Sequence, residues 1–101
     1  MHRIQLLLPL RYEKGGAIPR QVLGRVREEL TERFGGVTAY SRAPAQGCWR
    51  NAGRTKRDDL VVVEVMAKRL NARWWRRYRR HLEKVLRQEA LVIRSHSIRL
   101  L

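Results

Sequence analysis

A chain of 101 residues and 12.0 kDa has room for one hydrophobic core and not for two. Its 23 Lys and Arg outnumber nine Asp and Glu, giving +14 at neutral pH, yet 44% hydrophobic residues with three Pro and seven Gly exclude a basic disordered tail. The lone Cys48 excludes an internal disulfide framework and a cysteine-ligated zinc site, and the longest apolar run, 4–10, is broken by Gln5 and Pro9 and too short to cross a bilayer.

Residues 3–8, rich in Ile and Leu, read as a strand stopped by Pro9. After a loop carrying Gly15 and Gly16, Pro19 suits the first position of a helix, where its missing N–H is not needed. Leu23, Val26, Leu30 and Phe34 then recur at helical spacing until Gly35 and Gly36, which tolerate the positive φ of a helix end. Residues 37–41 form a short strand, with Thr38 and Tyr40 on one face and Val37 and Ala39 on the other. Residues 42–57 hold Pro44, Gly47, Asn51 and Gly53 without apolar periodicity and read as a loop. Residues 60–66 are the clearest strand, with Val at 61, 62, 63 and 65, and Asn71 opens a long helix ending near Gln88. A last strand follows over 90–101, broken or bulged around Ser95 to Ser97.

This order predicts one α+β domain over residues 1–101: a ferredoxin-like βαββαβ arrangement, a four-stranded antiparallel sheet with two helices on one face. Both faces of the sheet carry apolar residues: Val61, Val63 and Val65 on one side of the central strand, Leu60, Val62 and Met66 on the other. A cover for the second face is expected, and a homodimer packing sheet on sheet is the simplest, the other being loop 42–57 with Trp49 folded back.

The charge is concentrated. Residues 42–57 hold five basic and no acidic groups and residues 68–87 nine basic and one acidic, so two segments supply +13 of the +14. At about 100° per residue, Trp74, Trp75, Tyr78, Leu82, Val85 and Leu86 share one arc of the long helix. Arg69, Arg73, Arg76, Arg77, Arg80, Lys84 and Arg87 share the opposite one. Such like-charged neighbours cost a few tenths of a kcal/mol per i,i+4 pair, so a cationic face without interleaved Glu points to an anionic partner. Nucleic acid or another polyanion fits, with Arg50, Arg54, Lys56 and Arg57 of the loop adding contacts. The alternative is a solvated helix face in an Arg-rich chain, since 19 of the 23 cations are Arg. No motif for base readout is present, so binding would be to the backbone. The tryptophans of the helix fit core packing better than base stacking, while Trp49 either anchors the loop or offers a stacking platform.

Glu64 is the one acid inside an apolar strand and must be paired or shifted in pKa. It is either half of an interface pair with an Arg or Tyr or the polar centre of a pocket with Tyr40, His96 and Trp49. His2, His81 and His96 are dispersed, Asp58 and Asp59 have no identifiable partners, and no metal, cofactor or catalytic motif is expected.

The segments L-T-E-R-F-G-G-V-T-A-Y at 30–40, Gly47 with Trp49, V-V-V-E-V-M at 61–66 and W-W-R-R-Y at 74–78 carry a resemblance. The chain resembles a group of short bacterial proteins with an F-G-G-x-T segment, a G-x-W loop, an acid in the central strand and a Trp-bearing second helix. The resemblance spans most of the chain and implies a ferredoxin-like or dimeric α+β-barrel fold, with Glu64 and Trp49 as shared features. It implies no catalytic residue. The expectation is therefore a small non-enzymatic cytoplasmic protein that binds nucleic acid or another polyanion. Its rivals are a dimeric α+β barrel with a small-molecule or catalytic pocket near Glu64 and an accessory subunit that docks on an acidic protein.

Overall fold

Alternation along the first segment sets the architecture. In β1 (His2–Pro9) Ile4, Leu6 and Leu8 point to one side and are completely buried, while Arg3, Gln5 and Leu7 point to the other. The computed structural model describes residues 1–40, 46–51 and 54–101, and side chains for 1–37 and 60–101. The fold is α+β, with two helices and an antiparallel sheet. After β1 come α1 (Arg20–Phe34), β2 (Thr38–Tyr40), β3 (Gln46–Asn51), β4 (Arg54–Ala67), α2 (Ala72–Val85) and β5 (Val92–Ser97). The sheet order is β2-β4-β1-β5, every pair antiparallel, and β3 pairs with β4 off that path.

The buried side of β1 meets Val61, Val63 and Val65 of β4, and the core is closed by Val26 and Leu30 from α1 and by Trp75, Tyr78 and Leu82 from α2. Each such aliphatic side chain contributes roughly 1.5–3 kcal/mol by leaving water, so this layer sets the helix positions. Both helices thus cover one face of the sheet.

The helix ends follow local chemistry. Pro19 is the residue before α1, with φ −58° and ψ 144°, one place earlier than its sequence preference suggests. Gly35 ends the helix at φ 79°, its N–H donating to the Thr31 carbonyl at 2.8 Å. Asn71 caps α2 by accepting from the Trp74 N–H at 3.1 Å. At the other end Arg87 takes φ 52°, its N–H donates to the Lys84 carbonyl, and the Gln88 N–H reaches the Glu83 carbonyl at 2.8 Å. This is the paired-bond helix stop that glycine usually makes, here built on an arginine. It also ends α2 at Val85, three residues before Gln88.

Two expectations need correction. The stretch 42–57 is not simply a loop: Gln46–Asn51 form β3 and residues 54–57 open the 14-residue β4, paired from Gln46 opposite Asp59 to Asn51 opposite Arg54. Ladder hydrogen bonds belong to the backbone, so two strands can pair without apolar alternation in their sequence. Ser41 of the expected strand and positions 42–45 and 52–53 of the expected loop lie outside the described residues. The last strand is likewise unbroken at Ser95–Ser97, because β5 keeps step with β1 from Val92 opposite Leu7 to Ser97 opposite His2. Polar residues there reflect an exposed edge strand rather than a bulge.

Candidate nucleic-acid interface

All seven cations assigned to the helix stripe are exposed. Arg73, Arg76, Arg77, Arg80 and Lys84 lie on α2 itself, whereas Arg69 sits in the bend before it and Arg87 at its C-terminal stop. Among the described residues none of the seven makes an ion pair. The single acid on the helix, Glu83, is already engaged: it lies 3.9 Å from the Arg79 Nε and accepts the Leu91 N–H at 3.0 Å. The first turn has no acid either, so nothing offsets Arg73 at the positive end of the helix dipole. Arg87 is held differently, its guanidinium over the Tyr12 ring at 4.8 Å.

The aromatic residues of α2 face the core. Trp75 and Tyr78 are buried, Trp75 stacks on Phe34 at 5.2 Å and Trp74 on Tyr78 at 4.8 Å. Trp74 is half-buried, and its ring is covered by the Arg33 guanidinium at 4.2 Å. These rings pack α1 against α2, which is the core role that their spacing predicts. Val85, placed on the apolar arc by spacing, is 40% exposed, because it lies at the edge of that arc, about 100° around the helix from the fully buried Leu86. Burial raises the Tyr78 hydroxyl pKa well above its usual 10.0, with the Glu29 charge adding to the effect. Among the described residues that buried hydroxyl has no hydrogen-bond partner.

The hairpin cations fall at defined register positions. Arg50 is opposite Thr55, Lys56 opposite Trp49, Arg57 opposite Cys48 and Arg54 opposite Asn51. At about 3.4 Å per residue, a six-residue hairpin carries them some 20 Å along the strand axis. Trp49 lies in a strand that continues along β4, so the described backbone does not bring it back over the sheet.

Glu64 sits on the face of the sheet away from the helices. Its Oε1 accepts from the Gln5 Nε2 at 2.7 Å, and the Gln5 Oε1 accepts from the Arg94 Nε at 2.9 Å. Strand register makes this row: Gln5 is opposite both Glu64 and Arg94, and Thr38 is opposite Glu64 on the far side. The flanking rows are Val92, Leu7 and Val62, with Tyr40 opposite Val62, and His96, Arg3 and Met66. Tyr40 and Glu64 are thus near neighbours. His96 is two strands away from β4, about 10 Å at ordinary strand spacing, and Trp49 lies in the hairpin. Among the described side chains, Glu64 and His96 lie on this face and neither lines the clefts against α2 or α1. Sequence reasoning identified Glu64 but missed Gln5 and Arg94, whose roles depend on register; the alternation of Arg3, Gln5 and Leu7 was the available signal.

Among the described residues no three His, Cys, Asp or Glu side chains are grouped to hold a metal, and no helix is long and apolar enough to cross a membrane. No protein-family model matches this chain, and no curated protein sequence does.

Proposed function

We propose that this is a non-enzymatic protein that binds nucleic acid, or a polyanion of similar charge density, through the outer face of α2 and the basic β3–β4 hairpin. The observation that carries this reading is an exposed set of seven cations with no acidic partner among the described residues, beside a lone helix acid spent elsewhere. A merely solvated surface would gain stability from interleaved Glu, which this helix forgoes. Trp75 and Tyr78 of α2 are buried and no recognition motif is present, so the contacts from the helix are to phosphates and the reading is of charge rather than sequence.

Titration with generic single- and double-stranded nucleic acid at two salt concentrations tests it. Six to eight phosphate contacts give a slope of log K on log salt near −0.9 per contact on duplex. Arg73→Glu with Arg80→Glu lowers both affinity and slope. Absence of binding at low salt overturns the proposal.

The open sheet face favours assembly as well. It carries Leu7, Val62, Val92 and Met66, the last two each 53% exposed, around a row running from Arg94 through Gln5 to Glu64. That row is self-complementary: a second copy turned about a two-fold axis at Gln5 brings its carboxylate over Arg94 and its guanidinium over Glu64. A homodimer through this face is the assembly we propose. The strand order β2-β4-β1-β5 supports the finer description of the fold as ferredoxin-like, with β3 as an added hairpin strand. Kinship with the short bacterial proteins of the F-G-G-x-T pattern belongs to the same proposal.

A further inference from the structure

A cleft opens between the first half of α2 and the edge strand β5, on the helix side of the sheet and away from the open face. Its origin is legible in β5. Alternation directs Ile93, Ser95 and Ser97 toward the helices, with Ser95 opposite the buried Ile4. Serine stands where a bulky apolar residue would close the core against α2, so a space of about 180 Å³ is left. Its floor is Ile4, Trp75 and the partly buried Ile93, and its rim carries Arg76, Arg79 and Ser95.

The charge at the rim is one-sided. No carboxylate lines the cleft. Arg94 also borders it, but its Nε is committed to Gln5 on the other face. Arg76 and Arg79 are three apart on the helix, a spacing that sets their Cβ atoms about 5–6 Å apart and lets both guanidinium groups converge on one anion. The Arg79 side chain is 42% exposed, with its Nε 3.9 Å from the Glu83 carboxylate at i,i+4 spacing and without a hydrogen bond among the described residues. At 3.9 Å the contact with Glu83 is a long one on a largely exposed side chain, so the Arg79 guanidinium remains open to a second anion at the rim.

We infer that this cleft is a binding site for a small organic anion, with one ring or branched chain seated on Ile4, Trp75 and Ile93 and one phosphate or carboxylate held by Arg76, Arg79 and the Ser95 hydroxyl. Size limits the ligand. The space is close to the roughly 150 Å³ cavity that accommodates benzene and below the roughly 300–1,000 Å³ of sites for larger ligands. The site shares Arg76 with the cationic stripe but not Arg73 or Arg80, so the two readings are tested by different variants.

Amide and indole NMR shifts of the full chain, titrated at constant ionic strength with phenyl phosphate, benzoate and inorganic phosphate, test the assignment. Saturable shifts at Trp75 and at residues 93–95 with either aromatic anion, about tenfold tighter than with inorganic phosphate, support it, and the tighter of the two identifies the head group. Arg79→Gln weakens binding about tenfold or more, and Arg79→Lys recovers part of it. Ser95→Leu fills the space and abolishes binding while its thermal melt shows a folded protein. Equal affinity for inorganic phosphate, shifts confined to Arg73, Arg77 and Arg80, or a folded Arg79→Gln that binds normally would each overturn the site. Loss of nucleic-acid binding in the Arg73 and Arg80 variant leaves these readouts unchanged, so the two proposals fail separately.

Discussion

Tyr78 shows how a single buried group makes stability depend on pH. Its hydroxyl pKa is raised in the folded chain, so the native state keeps a proton that the unfolded state releases near pH 10. Above that value the unfolded chain binds fewer protons than the native one, and stability falls as pH rises, by at most about 1.4 kcal/mol per pH unit from this group. Below pH 10 it contributes no slope. Tyr78→Phe keeps the stack on Trp74 and removes the stranded hydroxyl, so the variant is expected to be as stable as the parent or up to about 1 kcal/mol more stable. It also loses this part of the alkaline decline, as urea melts at pH 8 and above 10 would show; an equal decline in both proteins would assign the effect elsewhere. Gly24 makes a simpler case. It lies inside α1 with nothing within 4 Å of an added Cβ, so Gly24→Ala should stabilise by about 0.5–1 kcal/mol. A lower urea midpoint would contradict that.

At the scale of the element, α2 sets folding against binding. Its core face is secured by Trp75, Tyr78 and Leu82, which allows the outer face to carry like charges at i,i+4, as in Arg73 with Arg77 and Arg76 with Arg80. Arg77→Glu replaces repulsion toward Arg73 and Arg80 by attraction and should stabilise by a few tenths of a kcal/mol per pair. The same change should weaken nucleic-acid binding and flatten its salt slope by about one contact's worth. Opposite signs in the two measurements are the expected result. Higher stability with unchanged binding would mark the stripe as plain solvated surface. The hairpin differs in kind from α2, since what defines it is the backbone register from Gln46 opposite Asp59 to Asn51 opposite Arg54.

For the whole molecule, the sheet separates two surfaces. One face is buried under α1 and α2, and the other presents Arg94, Gln5 and Glu64 among apolar neighbours. If two copies meet there, light scattering at micromolar concentration gives about twice the 12.0 kDa of one chain. Glu64→Arg sets like charges across the interface and should yield monomer, and adding Arg94→Glu should restore the dimer. A parent protein of 12.0 kDa under those conditions would end the proposal.

Much of this was written in local patterns. The alternation of Ile4, Leu6 and Leu8 and the run of valines from 61 to 65 select the core face of the sheet. Gly35 by its positive φ and Asn71 by its side-chain cap mark helix ends, and the spacing of Trp75, Tyr78 and Leu82 divides α2 into a buried and a cationic side. Those features follow from periods of two and 3.6 residues, which neighbours in the chain determine between themselves. Other features needed distant segments to meet. The hairpin carries no apolar period, because backbone pairing needs none; the helix stop at Arg87 depends on φ at an unlikely residue. The bond from Gln5 to Glu64 spans 59 positions and exists only through strand register, and the cleft at Ser95 exists only where β5 passes α2. By itself, the sequence determined that +14 would gather on one helix face and one basic segment. The tertiary structure decided that the basic segment is largely a strand pair, that Glu64 joins a ladder on an open face, and that α2 and β5 enclose a cleft, since a contact between remote residues is settled by register and packing rather than by either residue's neighbours.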